Sequence, residues 1–233
     1  MALSKIQIEI KAPYIAEIGR NSEMLNEKLK KQKIYELAKR IFDLCLAFIG
    51  LIFLLPAFLI VSLLIKWDDP HGRVFFRQIR VGKDGREFYI YKFRSMVANA
   101  EQMLNSLADQ NEATGAMFKM KKDPRVTRVG RVLRKTSIDE LPQLVNVLKG
   151  EMSLVGPRPP LPREVEQYSG YELQRLLVKP GCTGLWQVSG RSNLGFDQMV
   201  KLDLQYIRQR SMANDFKLIL KTLIQLLGSK NAY

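Results

Sequence analysis

The sequence reads as an α+β fold, mainly helical, with a re-entrant membrane hairpin helix near its N-terminus. Three observations predict this. Leu44 to Ile65 is a run of 22 residues without a charge, interrupted by Pro56. Val74 to Tyr91 is rich in Val, Phe, Tyr and Ile on both sides of Gly82-Lys83-Asp84-Gly85, as in a small β-hairpin. Most of the remainder carries helical spacing and ends in an apolar stripe, Phe216, Ile219, Leu220, Leu223, Ile224 and Leu227. The chain divides accordingly into an N-terminal extension (1–33), a re-entrant membrane helix (34–66) and one further domain (67–233).

In order along the chain, Ile6, Ile8 and Ile10 alternate as in a strand, or as in nothing stable. Residues 22–40 are charged and helix-permissive, with Ser22 as a cap, and they lead into the apolar run. At about 1.5 Å per residue that run is just long enough to cross a bilayer core of roughly 30 Å. Pro56 removes a backbone donor and marks a kink. Basic residues lie on both flanks: Lys28, Lys30, Lys31, Lys33, Lys39 and Arg40 before, Lys66, Arg73, Arg77, Arg80, Lys83 and Arg86 after. A spanning helix shows a Lys/Arg bias to one side, so equal flanks favour two half-helices that enter one leaflet and return to the cytoplasmic face. The alternative is a single-span anchor.

Trp67 suits a membrane–water boundary, and Pro70 and Gly72 form a turn before the hairpin. Residues 95–109 read as an amphipathic helix, with Met96, Ala100, Met103, Leu104 and Leu107 on one face. Asn111 to Asp123 reads as a loop, Pro142 to Leu148 as a short helix ended by Gly150, and Glu164 to Leu177 as a helix stopped by Pro180-Gly181. The C-terminal stripe fits either a helix lying flat in the headgroup region or a core-facing helix.

Composition narrows the function classes. With 37 basic and 23 acidic residues the net charge is +14, a surface suited to nucleic acid, anionic lipid or phosphate-bearing substrates. The two cysteines, Cys45 and Cys182, form neither a metal spacing nor a disulfide framework. His71, in the loop Asp69-Pro70-His71-Gly72, is the single histidine, which leaves little room for histidine-based catalysis. The first 20 residues lack the apolar core of a signal peptide.

The chemistry concentrates in residues 123–159. Arg125, Arg128, Arg131, Arg134 and Lys135 precede adjacent carboxylates, Asp139 and Glu140, and Arg158 follows between two prolines. Gly184 to Arg191 adds another arginine in a turn-prone setting. Arginine forks grip phosphate oxygens, and two carboxylates among arginines suit a divalent cation with a polyphosphate. Locally, Ser137-Ile138-Asp139-Glu140 is a capping-box pattern, so spacing alone favours a helix start at these acids, a reading compatible with a catalytic role.

The ordered set Lys92-Phe93-Arg94-Ser95-Met96, Arg134 to Gln143, Ser153 to Pro159, Lys179-Pro180-Gly181 and Gln187 to Arg191 resembles the bacterial sugar transferase family, the monotopic phosphoglycosyl transferases, over roughly residues 34–228. The resemblance implies transfer of a phosphosugar from a UDP-sugar to undecaprenyl phosphate, with release of UMP. It implies interfacial helices around an active site at the cytoplasmic face of the bacterial inner membrane, serving the first membrane step of exopolysaccharide, capsule, O-antigen or glycoprotein glycan assembly. By the same resemblance Asp139 is the nucleophile that forms an aspartyl-phosphosugar, Glu140 its acidic neighbour, and Arg134, Arg158 and Arg191 the donor-binding arginines. Mg²⁺ is expected at Asp139 and Glu140. The implied partners are UDP-sugar, undecaprenyl phosphate and membrane lipid, not nucleic acid; residues 1–33 leave room for contact with another copy of the chain. The competing classes are a non-catalytic basic membrane scaffold and a nucleic-acid-binding protein. Within the enzyme class, the competing course is direct transfer without an aspartyl intermediate.

Overall fold

The structure of the protein, a computed structural model, describes residues 27, 32–100, 102–103, 120, 123–190 and 194–228. The strand expected at Ile6–Ile10, most of the loop expected over 111–123, and Arg191 lie outside the described residues.

Helix α1, Lys33–Asp68, is 36 residues long. Helical structure continues through Pro56, so the two half-helices expected from the proline form one element. One stripe faces the protein body: Lys39, Asp43, Ala47, Val61 and Ile65 are buried, and Gly50 and Phe58 lie on the same face against Leu144 and Phe93. The steps of three and four along this stripe are those of one helix face. The opposite face is bare, with Phe53 82% and Trp67 83% exposed and Ile49, Ile52, Leu59, Ile60 and Leu63 also open. The most apolar 18-residue window has a mean hydropathy of 2.9, yet only 11% of it is buried, unlike the core helix of a soluble domain.

Both ends of α1 are tied to the same body. Near its start, Lys39 donates to Asp215 at 2.8 Å, Arg40 donates to the carbonyls of Val147 and Leu148, and Asp43 accepts from the amide of Leu154. At its finish, Asp68 accepts from the amide of Val129, and Arg94 grips Asp69 through both side chain and carbonyl.

Strands β1, Phe75–Val81, and β2, Glu87–Phe93, form the expected antiparallel hairpin. Asp84 (φ 57°) and Gly85 (φ 75°) make its tight turn. Phe88 and Ile90 pack with Ala47, Val147 and Met152, while Phe93 packs with Val61, Ile65 and Leu133. The hairpin therefore lies between α1 and the rest of the body.

The helix expected over 95–109 is not formed where the chain is described up to Ala100. Residues 95–97 are extended: Thr127 N donates to Ser95 O, Val97 N donates to Arg125 O, and Met96 pairs with Val126. These backbone groups are committed across the chain and cannot close helical turns. Helix α2, Arg128–Thr136, then packs tightly here; a Cβ on Gly130 would stand 2.0 Å from Ser95 O.

Helix α3, Gln143–Lys149, follows Pro142 and ends at Gly150 (φ 80°), as the sequence predicts. Strand β3, Ser153–Val155, then meets β4, Gly181–Thr183, in a parallel pair. Between them the single helix expected over 164–177 is broken into α4, Pro162–Val165, and α5, Gly170–Leu173, with a 3₁₀ turn over Gln174–Leu177. The break falls at Ser169, whose hydroxyl caps α5 while Glu172 accepts from the Ser169 amide at 2.7 Å, a capping box that restarts the helix.

Helices α6, Leu185–Ser189, α7, Phe196–Gln209, and α8, Met212–Gly228, complete the fold. Val155, Val178, Val200, Leu204, Tyr206, Ile207 and Leu218 form the largest apolar cluster. Of the C-terminal stripe, Ile219 packs against this cluster, while Phe216, Leu220, Leu223 and Ile224 are exposed and the neighbouring Leu218 and Asp215 are buried. Of the two readings of this stripe, the core-facing one is therefore excluded for these four residues.

Candidate active site

The site is assembled from the hairpin, the α2–α3 connection and the segment after β3. Phe88, Ile90 and Lys92 share the inward face of β2, and their cross-strand partners Arg80, Gln78 and Phe76 share that face on β1. Thr127 caps α2 by accepting from Gly130 N at 2.9 Å, and the helix delivers Arg134, whose Nε donates to Ser95 Oγ at 2.9 Å.

Helix α2 ends at Ser137 in the left-handed conformation (φ 56°, ψ 17°), and a 3₁₀ turn, Ile138–Glu140, follows directly. The capping box suggested by Ser137 and Glu140 is not made, because Ser137 is the C-cap of the preceding helix and its side chain caps nothing. The sharp reversal directs the two acids toward the hairpin. Asp139 is 8% exposed. Glu140 accepts from Lys92 Nζ at 2.6 Å.

The electrostatics separate the two acids. Burial pushes Asp139 up to about 6, and the negative charge of Glu140 adds to this, while Lys92 and Arg134 pull the other way. Burial also acts to raise Glu140, but Lys92, Arg158 and Arg80 outweigh it and hold this carboxylate below its usual range. At neutral pH both are ionised, one held by its lysine, the other without a side chain hydrogen-bonded to it among the described residues. Such an acid is poised as a nucleophile or a metal ligand.

Arg158 reaches the site from a rigid support. Its Nη1 donates to Glu164 at 3.1 Å, and Glu164 also accepts from the amide of Leu161. Its carbonyl accepts from Arg175 Nη2; Arg175 in turn pairs with Asp203 at 2.9 Å and donates to the Tyr168 hydroxyl, all deep in the core.

Four of the five residues singled out in the sequence thus converge: Asp139, Glu140, Arg134 and Arg158. The fifth, Arg191, is outside the described residues. The structure adds Lys92 and Arg80. Lys92 had a legible signal, since it occupies the strand parity of Phe88 and Ile90, where an apolar residue is expected. No group of three or more His, Cys, Asp or Glu residues suited to a metal occurs among the described residues. Mg²⁺ commonly takes only one or two protein carboxylates and completes its shell with water and phosphate; Asp139 has that donor chemistry, and Glu140 shares its carboxylate with Lys92. The arrangement can bind a diphosphate and present an anionic nucleophile to it, beside a bare apolar helix.

This is the architecture of a phosphate-handling protein with an open apolar flank, and the chain belongs to the bacterial sugar transferase family, whose pattern matches residues 34–229. Among its relatives, the "Galactosyl transferase CpsE" of Streptococcus agalactiae is 51% identical over 195 residues, covering 83% of this chain and 43% of that protein. The "UDP-glucose:undecaprenyl-phosphate glucose-1-phosphate transferase" of Escherichia coli is 40% identical over 209 residues, 86% of this chain and 42% of that protein. The "Exopolysaccharide production protein ExoY" of Rhizobium meliloti is 40% identical over 201 residues, 84% of this chain and 88% of that protein. The chain therefore spans less than half of the first two relatives and nearly all of the third.

Proposed function

We propose that this chain transfers a sugar 1-phosphate from a UDP-sugar to undecaprenyl phosphate, as the name of the E. coli relative describes for that protein. The observation that carries the reading is Asp139: buried, raised to about 6, flanked by Lys92 and Arg134, and not hydrogen-bonded by another side chain among the described residues.

In the first step an Asp139 oxygen attacks the phosphorus bearing the sugar. The bond from that phosphorus to the UMP oxygen breaks, and UMP leaves with the electron pair. In the second step an oxygen of undecaprenyl phosphate attacks the same phosphorus and displaces the carboxylate. One phosphoanhydride is exchanged for another through an acyl phosphate. Lys92, Arg134 and Arg158 offset the repulsion between an anionic nucleophile and an anionic diphosphate. Glu140 holds Lys92 in place. Asp139 and Glu140 would hold Mg²⁺, which supplies further charge neutralisation on the phosphates.

The anchoring of α1 supports a re-entrant placement. Both of its ends, and Gly50 near its middle, touch one body. A helix crossing the bilayer could not keep both ends on a single water-facing domain. On this reading its bare face dips into one leaflet, and the exposed residues of α8 meet the headgroup layer. The acceptor's phosphate meets Asp139 there while its tail stays in lipid. On this reading the protein works at the cytoplasmic face of the inner membrane, where nucleotide sugars are supplied.

The test is UMP release and formation of an organic-extractable labelled lipid, with UDP-galactose and UDP-glucose tried first. Labelled donor given without acceptor is expected to leave a phosphosugar on Asp139, read by mass spectrometry of the quenched protein. Full activity with no adduct under any donor would favour direct transfer; no lipid product with any UDP-sugar would overturn the reading.

A further inference from the structure

We propose that Arg80 is a donor-binding residue: its guanidinium, bonded to the Pro159 carbonyl next to Arg158 and on the hairpin face that carries Lys92, grips the diphosphate of the nucleotide sugar. This rests on the transferase reading above and adds a contact from the β-hairpin.

The strand pairing puts Arg80 on the inward face of β1, the face that also carries Lys92 across the hairpin. Its Nη1 donates to the carbonyl of Pro159 at 3.1 Å, next in the chain to Arg158, and its Nη2 donates to Gln78 Oε1 at 2.9 Å. The strand and the 157–160 segment are further joined by the Val81 amide, which donates to Pro160 O at 2.9 Å. Arg80 and Arg158 thus sit on two adjoining, mutually fixed stretches of backbone.

Arg80 is only partly satisfied by these two bonds. Its Nε is buried and has no hydrogen-bond partner among the described residues. It forms no ion pair with a described carboxylate: Glu164 is taken by Arg158 and the Leu161 amide, and Glu140 by Lys92. Burial, with Arg158 beside it, pulls the guanidinium down to about 9, and Glu164 and Glu140 only partly offset this. Keeping a buried donor unmet and two cations together costs stability unless an anion joins them. A diphosphate offers two linked anionic groups with several acceptor oxygens, matching two planar forks.

The experiment uses the full chain in detergent micelles or lipid nanodiscs, with Arg80→Met and Arg80→Lys. The first readout needs no turnover: thermal stabilisation by UDP, expected for the wild type, lost in Arg80→Met and partly kept in Arg80→Lys. The second is kinetic: the donor KM is expected to rise about tenfold or more in Arg80→Met, the scale of one charge-assisted contact, with the acceptor KM within about twofold. The melting temperature without ligand is expected not to fall. Unchanged UDP stabilisation and donor KM would overturn the proposal. So would a lower melting temperature in both variants with the donor KM unchanged, since that describes a purely structural arginine. A wild type that neither binds UDP nor releases UMP would instead overturn the transferase reading itself, and this inference with it.

Discussion

Asp139 and Asp203 are both withdrawn from water, and burial pushes both up to about 6. Their surroundings differ. Asp203 lies on α7 and is gripped by Arg175, with Nε and Nη2 each at 2.9 Å, side chains 0% and 1% exposed. Asp139 sits at a chain reversal, and the cations beside it are committed elsewhere, Lys92 to Glu140 and Arg134 to Ser95. One carboxylate is held by a buried guanidinium and serves as a strut behind Arg158. The other accepts from no side chain among the described residues, while its charge is partly offset from a distance. Burial with an ion-pair partner makes a support; on the proposed reading, burial without one makes a reagent.

Substitution should separate the two. Asp139→Asn is expected to lower UMP release by about four orders of magnitude or more, the scale of a deleted nucleophile, without lowering the melting temperature. A large stability loss instead would make Asp139 a second strut. Asp203→Ala is expected to cost about 3–5 kcal/mol in denaturant unfolding, because it leaves Arg175 charged and unpaired in the core. A cost near zero would show that the pair is not needed to hold Arg158.

Gly130→Ala tests the support on the other side of Asp139. The added methyl would collide with the Ser95 backbone, for an expected loss of about 1–3 kcal/mol and weaker donor binding as Arg134 loses its hydroxyl partner. The smallest effect is that of pH. If Asp139 is the nucleophile proposed above, it must be ionised, so the rate is expected to fall about tenfold per unit as pH drops below about 6. Stability runs the other way for this group. Its folded pKa lies above the unfolded one, so ionisation is easier in the unfolded chain, and stability is lost as pH rises from about 4 to 6. An acid limb near 4 would mean that the phosphates or metal of the bound state control the titration.

Much of the site was legible because it is local. Asp139 and Glu140 are adjacent, Arg134 lies on the preceding helix, and Arg158 is marked by its flanking prolines. Lys92 and Arg80 come from 48 and 60 residues away (140 − 92 and 140 − 80), and only the hairpin register turns them toward the acids. The capping box at Ser137 misled because a cap pattern does not reveal that another helix ends on the same residue.

By itself the sequence determined the apolar helix, the hairpin and its turn, the α3 helix with its glycine stop, and the acid–arginine segment. Each depends on residues a few positions apart, where periodicity, turn preference and adjacent charge act directly. Tertiary structure alone decided that residues 95–97 are extended, that β3 and β4 pair in parallel, that most of the α8 stripe is exposed, and that Asp139 accepts from no side chain among the described residues while Asp203 is bound. These outcomes follow from which distant backbone or charge arrives within hydrogen-bonding range, a competition settled by packing and invisible to local pattern.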